Sequence, residues 1–339
     1  MNRSPKKILI IKLRYIGDVL LASSILPSLH EAFPQAQIMM LVNPGTQEIL
    51  RHNPYLHEIL LVPRGNWWQQ LQFLRNIRAR QFDCVLDLTD GDRSAILSAA
   101  TGAPVRLGYN NEHRWRRQLY SACVDSRYGT MHMVDYHMMA LEKLGIPLHL
   151  SSPQVFVQQD EQETADRLIR NLDLVGKAWV MIHPTARYWF KAWSVQRFAA
   201  LADQLHTQGV PVVFVGEQSD MGVYKEIQNA AQSQLLSLMG QTSVLELAAL
   251  MKRCALFIGN DGGPMHIAAG VGCNVVALFG PSDPSVWGPR GGKHTVMYKG
   301  LDCAECFDPG CFRGEQSCMN QISVKEVYEA AMEFLRLHE

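Results

Sequence analysis

The sequence predicts an α/β protein made of two similar lobes, each a parallel β-sheet covered by helices. Short apolar runs, typical of buried strands, alternate with apolar residues at helical spacing in both halves of the chain. A Gly–Pro stop signal at residues 145–147 ends the first half. We therefore expect two lobes that face each other across a cleft, and a C-terminal helix, over residues 1–150, 151–322 and 323–339.

The individual elements follow from local patterns. Each predicted strand is a short aliphatic run between polar turns, at residues 7–13, 37–42, 58–62, 83–87, 105–108, 178–182, 210–215, 256–258 and 274–278. Each predicted helix is a longer amphipathic segment, at residues 19–33, 67–80, 92–100, 131–144, 161–172, 195–207, 244–251, 264–269 and 324–337. Residues 106–127 break the alternation. They are polar and basic, which predicts an exposed working loop.

Composition excludes several classes of function. The 32 Lys and Arg residues balance the 32 Asp and Glu residues, so the chain has no net positive charge that would attract nucleic acid. No apolar run approaches the roughly 18 residues of a membrane-spanning helix. The apolar run after Lys6 and Lys7 is too short for a signal peptide. We expect a cytoplasmic enzyme that contacts a membrane surface.

The eight cysteines fall into two groups. Four lie singly in apolar contexts and are predicted to be small core residues: Cys84, Cys123, Cys254 and Cys273. The other four are clustered: Cys303, Cys306, Cys311 and Cys318. This spacing permits a zinc site. The spacers differ from the usual paired Cys-x-x-Cys arrangement, so four reduced thiols that pack a loop are the favoured prediction. A cytoplasmic chain argues against disulfides.

Asp18 lies at the end of a short turn that connects the first predicted strand to the next predicted helix. Ligands of open α/β sheets bind at the carboxyl ends of the strands. A carboxylate at that edge, without a Gly-rich dinucleotide loop, indicates a base or ligand for hydroxyl chemistry. The alternative is that Asp18 only caps the helix that begins near Val19.

Residues 259–266 form a second strand–turn–helix unit. Asp261 is predicted to be the helix N-cap, with Pro264 in the first turn. The glycines permit close approach of a ligand, and the free amides of a helix N-terminus suit a phosphate. A capped turn without a ligand is the alternative. His266 either contacts the ligand or packs in the core.

Residues 182–194 form an aromatic and basic loop after another predicted strand. Lys191 can neutralise a phosphate, Arg187 can add a bidentate contact, and Thr185 offers a hydroxyl. Ser194 can cap the next helix. Trp189 and Trp193 are predicted to pack in the core.

The basic stretch in residues 106–127 is either solvated surface or a site for an anionic acceptor. Its acidic residues are Glu112 and Asp125, and its basic residues are Arg106, His113, Arg114, Arg116, Arg117 and Arg127. Arg14 and Arg64 are expected to join this surface from other strand edges.

Three runs together resemble the bacterial heptosyltransferases of glycosyltransferase family nine: the Gly17-Asp18 loop, residues 183–193 and residues 261–266. Residues 280–284 resemble a further feature of that family. The resemblance implies the GT-B architecture, in which two Rossmann-like lobes face a central cleft. Residues 11–18, 87–90 and 184–191 are most similar to the subtype heptosyltransferase III, which adds a side-branch heptose to the second heptose of the lipopolysaccharide inner core.

The resemblance implies inverting transfer of L-glycero-D-manno-heptose from ADP-heptose to a heptose hydroxyl of the lipid A–core acceptor. The N-terminal lobe would bind the acceptor and the second lobe the donor, at the cytoplasmic face of the inner membrane of a Gram-negative bacterium. Asp18 matches the general base, and Lys191 matches the lysine that holds the donor diphosphate. The family usually has threonine where this chain has Gly262.

The remaining donor-side residues are predicted to be Thr185, Asp220, Thr242, Asp261, Gly262, Gly263 and His266. The acceptor-side residues are predicted to be Arg14, Arg64, Arg114 and Arg117. We expect no metal, no cofactor besides the donor substrate, and no nucleic-acid partner. The alternatives are activity like that of heptosyltransferase I or II, a nucleotide-sugar epimerase of similar fold, a nicotinamide oxidoreductase, or a non-catalytic binding protein.

Overall fold

The structure is a computed structural model that describes residues 4–125, 128–148, 152–303, 305–306 and 308–336. The chain divides into two compact units, Met1–Phe156 and Val157–Glu339. Each unit contains one six-stranded parallel sheet flanked by helices. The predicted α/β fold class with two Rossmann-like sheets is therefore confirmed. Among the described residues, no helix combines the length and the apolar character needed to cross a membrane.

The sheet of the first unit has the strand order β3-β2-β1-β4-β5-β6. Its strands are β1 Lys7–Lys12, β2 Gln37–Val42, β3 Glu58–Leu61, β4 Cys84–Asp87, β5 Val105–Tyr109 and β6 Ala122–Val124. Strand β1 lies centrally between β2 and β4, and its residues from Ile8 onward are buried. Burial on both faces explains its continuous aliphatic sequence.

Five α-helices flank this sheet: α1 Ile16–Ser23, α2 Leu26–Ala32, α3 Trp67–Ala79, α4 Asp92–Ala100 and α5 Met133–Lys143. The prediction of one helix over residues 19–33 is wrong. The segment is two helices, because Pro27 stands in the first turn of α2 and lacks the amide proton that a continuous helix needs there. The first helix begins before Val19, which places Asp18 inside its first turn.

The prediction that residues 106–127 form one exposed loop is also wrong. Most of β5, a short 3-10 helix over Trp115–Leu119 and strand β6 occupy this segment. The strand β6 was missed because it has three residues and only Val124 of them is buried. Arg127 lies outside the described residues.

The second unit repeats the architecture with the strand order β12-β11-β10-β7-β8-β9. Its strands are β7 Val180–His183, β8 Val212–Phe214, β9 Leu236–Ser237, β10 Leu256–Asn260, β11 Val275–Leu278 and β12 His294–Met297. Its helices are α6 Gln159–Asn171, α7 Val195–Thr207, α8 Met221–Ala230, α9 Val244–Met251, α10 Gly263–Gly270, α11 Pro284–Trp287, α12 Cys318–Gln321 and α13 Val324–Arg336. The amphipathic tail α13 buries Val327 and Ala331 in the core of this unit. Leu337, the predicted end of this helix, lies outside the described residues.

In each sheet the strand order reverses once along the chain. In the first unit, β2 and β3 follow β1 toward one edge of the sheet, whereas β5 and β6 follow β4 toward the other edge. In the second unit the same reversal lies between β7 and β10. The loops at the carboxyl ends of such neighbouring strands diverge and leave a crevice, which is where ligands of doubly wound sheets bind. These two crevices are therefore the places to look for functional residues.

Candidate active site

Thr89 fixes the loop between β1 and α1 at the crevice of the first unit. Its hydroxyl accepts a hydrogen bond from the Leu13 amide at 2.8 Å and donates to the Ile11 carbonyl at 3.2 Å. The Thr89 carbonyl accepts from Nη2 of Arg14 at 3.3 Å. The residues that lead from β1 to Asp18 are thus anchored to Thr89, just beyond the end of β4.

Asp18 lies in the first turn of α1 and is partly exposed. The N-cap of this helix is Tyr15, whose side chain makes no capping hydrogen bond. The interpretation of Asp18 as the cap is therefore wrong. Its side chain instead lies near the positive end of the α1 dipole.

Lys12 is a buried cation at the end of β1 that was not among the predicted site residues. Its side chain is 2% exposed; Nζ donates to the Leu88 carbonyl at 2.9 Å and lies 3.2 Å from Nε2 of His137. Burial lowers the pKa of Lys12 to about 8, and the negative charge of Asp18 is the strongest effect in the opposite direction. Burial also lowers the pKa of His137, so this imidazole is neutral and its Nε2 can accept from the ammonium.

The lowered pKa of Lys12 predicts a specific pH dependence of stability. The value is about 8 in the folded protein and 10.5 for an ordinary lysine, so between these values the unfolded chain binds more protons. The free energy of unfolding contributed by this group therefore rises with pH across that window. Between pH 7 and pH 10, the free energy of unfolding of the wild-type protein is expected to rise by about 2–3 kcal/mol relative to that of Lys12→Met. Urea denaturation at several pH values measures this difference, and parallel curves for the two proteins would contradict it.

Arg116 does not belong to the exposed basic surface. Its side chain is 2% exposed, and it pairs with Asp90 at 2.7 Å, Asp92 at 3.3 Å and Glu112 at 3.3 Å. Asp90 in turn accepts from the amide of Asn111 at 2.9 Å. The 3-10 turn at residues 115–119 directs the guanidinium inward. For Arg116, both alternatives, solvated surface and anion-binding surface, are therefore wrong.

Arg116 is expected to be a stability residue. Replacement by glutamine leaves Asp90 without its cation at 13% side-chain exposure, and breaking such a buried pair costs about 3–5 kcal/mol of the free energy of unfolding. Arg114→Gln is the matched control, because Arg114 is 49% exposed and its ion pairs are worth less than about 1 kcal/mol. Urea denaturation of both variants checks this. Equal losses would contradict the buried-pair account.

The predicted acceptor-side arginines are all exposed and belong to the first unit. Arg14 and Arg64 each donate to a backbone carbonyl, that of Thr89 and that of Pro44 respectively. Arg114 pairs with Asp92 at 3.0 Å and with Glu112 at 3.2 Å, so its charge is partly neutralised. Arg117 is exposed on the 3-10 helix.

Lys191 and Asp261 meet at the crevice of the second unit. Nζ of Lys191 lies 2.8 Å from Oδ2 of Asp261, and the hydroxyl of Ser282 donates to the same oxygen at 2.6 Å. The two charged side chains are 14% and 9% exposed. The loops after β7, β10 and β11 thus deliver one residue each to a partly buried charged cluster. Ser282 was noted only as part of residues 280–284.

The turn before α10 differs from the predicted one. The backbone amide of Asp261 donates to the Leu278 carbonyl at 3.0 Å, so it continues the pairing of β10 with β11. The helix begins two residues later at Gly263, and Gly262 is the N-cap. The prediction of Asp261 as N-cap is therefore wrong, whereas Pro264 does lie in the first turn. A Cβ at Gly262 would meet no atom closer than 3.9 Å, so the backbone itself has room for a threonine there.

Asn260 holds the β7 loop against the end of β10 and was also missed. Its Oδ1 accepts from the Trp193 amide at 3.0 Å, and its Nδ2 donates to the carbonyls of Pro184 at 2.9 Å and Thr185 at 3.2 Å. These three contacts span the loop that carries Lys191. Asn260 is therefore a positioning residue for that lysine.

The two tryptophans of this loop differ in environment. Trp193 is 2% exposed and its indole donates to the Ile322 carbonyl, which confirms the prediction of core packing. Trp189 is 71% exposed, so the same prediction is wrong for it. Residues Trp189–Lys191 form a single 3-10 turn, in which successive side chains point about 120° apart. Because the turn points Lys191 inward, the side chain of Trp189 points into solvent.

The other predicted donor-side residues lie along the same edge of the sheet. Asp220 follows β8, accepts from the Glu217 amide at 2.9 Å and is partly exposed. Thr242 precedes α9 and is partly exposed, whereas His266 lies within α10 and is 5% exposed. Gly263 is the first residue of α10, the helix whose N-terminal amides face this edge.

The cysteine cluster extends from the segment after β12 to Cys318, the first residue of α12. Sγ of Cys303 accepts from Nε of Arg313 at 3.0 Å, Cys306 is exposed, and burial raises the pKa of the Cys318 thiol. Across the described ranges, no group of three or more His, Cys, Asp or Glu side chains is arranged to hold a metal ion. Of the four predicted core cysteines, Cys84 and Cys273 are buried, whereas Cys123 and Cys254 are only partly buried.

Comparison with known proteins identifies the family. The model of glycosyltransferase family 9 (heptosyltransferase) matches residues 70–316. The chain belongs to this family. Lipopolysaccharide heptosyltransferase 3 of Escherichia coli K12 is 31% identical over 82% of this chain and 83% of its own length. The protein is thus a glycosyltransferase, in accordance with the predicted class.

Two solved structures show the same fold over nearly the whole chain. A family 9 glycosyltransferase from Veillonella parvula superposes with a TM-score of 0.87 at 25% identity and covers 98% of this chain and 97% of its own. The E. coli ADP-heptose lps heptosyltransferase II superposes with a TM-score of 0.82 at 24% identity and covers 98% of this chain and 99% of its own. These similarities confirm the GT-B fold that was predicted for this chain.

Proposed function

We propose that this family 9 glycosyltransferase moves L-glycero-D-manno-heptose from ADP-heptose to a hydroxyl of the second heptose of a lipopolysaccharide inner core, with inversion at the anomeric carbon. The main structural support for this proposal is the Lys191–Asp261–Ser282 cluster at the crevice of the second unit. It places a cation of low exposure beside the amides of a helix N-terminus, a combination that suits a diphosphate. The names of the heptosyltransferase 3 relatives support the subtype.

The proposed reaction is one displacement. An acceptor hydroxyl attacks the anomeric carbon, and Asp18 takes its proton as the new carbon–oxygen bond forms. The bond to ADP breaks at the same carbon, and the leaving diphosphate takes the electron pair. Lys191 and the first amides of α10 stabilise the charge that develops on the diphosphate, which is often the largest electrostatic contribution in such enzymes.

We also propose that the protein acts at a membrane surface, because its acceptor is carried by a lipid. Exposed arginines of the first unit, Arg14, Arg64 and Arg117, support contact with an anionic acceptor. The paired Arg114 contributes less charge to this surface.

The donor half of the proposal is tested by calorimetric titration with ADP, UDP and NADH, followed by turnover of ADP-heptose with and without an acceptor. We expect ADP to bind most tightly and ADP release to require the acceptor. An epimerase would change the donor sugar without any acceptor, and an oxidoreductase would bind NADH. Either result would refute the proposed reaction.

A further inference from the structure

Helix α3 of the first unit carries two large apolar side chains in solvent. Trp67 and Trp68 are each 61% exposed, and their ring centroids lie 3.5 Å apart with an interplanar angle of 30°. The helix is held to the core along an adjacent stripe, where Ile77 is buried and Phe73 and Leu74 pack against the core cluster. Adjacent exposed tryptophans form an apolar patch that is unfavourable in water and indicates an interaction surface.

The segment that carries this patch contains charges of one sign. Residues 59–82 contain Arg64, Arg75, Arg78 and Arg80 and no acidic residue. Arg80 pairs with Glu58. In the part of the chain that the structure describes, no ion pair joins the exposed Arg64, Arg75 or Arg78 to a carboxylate.

Helical geometry puts the aromatic and basic side chains together. Arg75 follows Trp68 by seven residues, and Arg78 follows Trp67 by eleven, so at 3.6 residues per turn each pair lies on one side of the helix. The exposed side of α3 therefore presents indoles at its N-terminal end and guanidinium groups farther along. We call this surface, formed by Trp67, Trp68, Arg75 and Arg78, the α3 face.

We propose that the α3 face docks the protein on a lipid bilayer with anionic headgroups. Tryptophan is enriched at membrane interfaces, where its ring sits at headgroup level, and arginines next to such a surface are attracted by anionic lipids. A second copy of the chain fits this face less well, because a two-fold contact would bring the uncompensated arginines of both copies together. The inference rests on the proposed function, in which the acceptor is a lipid.

Flotation of the full chain with vesicles tests the docking surface. The wild-type protein is expected to bind vesicles of phosphatidylcholine mixed with phosphatidylglycerol far better than vesicles of phosphatidylcholine alone. Trp67→Ser/Trp68→Ser is expected to weaken binding at least about tenfold, since two large apolar groups no longer enter the interface. Arg75→Gln/Arg78→Gln is expected to weaken it on the order of thirtyfold.

Matched controls come from the second unit. Phe312→Ser removes an aromatic ring that is 76% exposed, and Arg167→Gln/Arg170→Gln removes two exposed arginines at the same spacing on α6. Both controls are expected to float like the wild type. Flotation of the α3 variants at wild-type levels would overturn the proposal, and so would a dimer in sedimentation velocity that the tryptophan variant abolishes.

Transfer to a delipidated core oligosaccharide separates this inference from the proposed function. The α3 variants are expected to keep the wild-type rate with that soluble acceptor. If they lose it, the α3 face belongs to the substrate site and the docking proposal fails. If the wild-type protein itself transfers no heptose, the proposed function fails, while the flotation result still decides the role of the α3 face.

Discussion

Asp18→Asn is expected to lower the rate of heptose transfer by about 10²–10⁴-fold, the range that a general base typically contributes. The affinity for ADP is expected to stay unchanged, because the residues proposed to hold the donor belong to the second unit. The asparagine side chain has nearly the same shape but cannot accept the proton of the attacking hydroxyl. Turnover at saturating substrates, together with calorimetric titration of ADP, measures both quantities.

A helix-terminal control separates catalysis from folding in this experiment. Asp18 lies in the first turn of α1, so its replacement also removes about 0.3–1 kcal/mol of favourable interaction with the helix dipole. Asp160→Asn makes the same change in the first turn of α6, where the residue is exposed. The control is expected to keep wild-type turnover. If the turnover rate of Asp18→Asn stays within about threefold of the wild-type rate, Asp18 is not the general base.

Lys191→Ala is expected to weaken ADP binding by about 10–150-fold, the equivalent of one hydrogen bond to a charged group. Two effects are expected to contribute. The variant loses the cation that we propose faces the diphosphate, and it leaves the Asp261 carboxylate, 9% exposed, without its ion pair. Calorimetric titration with ADP measures the loss, and Lys177→Ala, which removes an exposed lysine of the same unit, is the control.

A double variant distinguishes those two reasons. If Lys191 only neutralises Asp261, then Lys191→Ala/Asp261→Asn should recover the affinity for ADP. If Lys191 also contacts the diphosphate directly, as proposed, the double variant should regain only part of the affinity that Lys191→Ala loses. Full recovery would therefore reassign Lys191 to a structural role, and an unchanged affinity in the single variant would remove it from the donor site.

The fold was predictable where burial on both faces of a strand imposed a continuous aliphatic sequence. Strands such as β1 and β10 are fully or almost fully buried and were found. The strands β9 and β12 were missed because they lie at or near sheet edges, are short and are only partly buried, so their sequences carry little apolar signal. The order of the strands, and with it the position of the two crevices, depends on pairing between distant segments that no local pattern reveals.

The candidate site was predictable as a set of residues but not as a set of contacts. Lys191 and Asp261 were both selected, yet their ion pair joins residues 70 positions apart and was not foreseen. The contact between Lys12 and His137 spans 125 positions. A lysine at the end of an otherwise apolar strand was the one available signal. Arg116 was misjudged because a basic run does not show which member has buried acidic partners.

Product masses from defined acceptors test the central claim most directly. The protein is incubated with ADP-heptose and with truncated core lipids that carry no heptose, one heptose or two heptoses. The account predicts a gain of one heptose residue only on the acceptor with two heptoses, with release of ADP. Addition to a shorter core, or a donor sugar altered without any acceptor product, would contradict it.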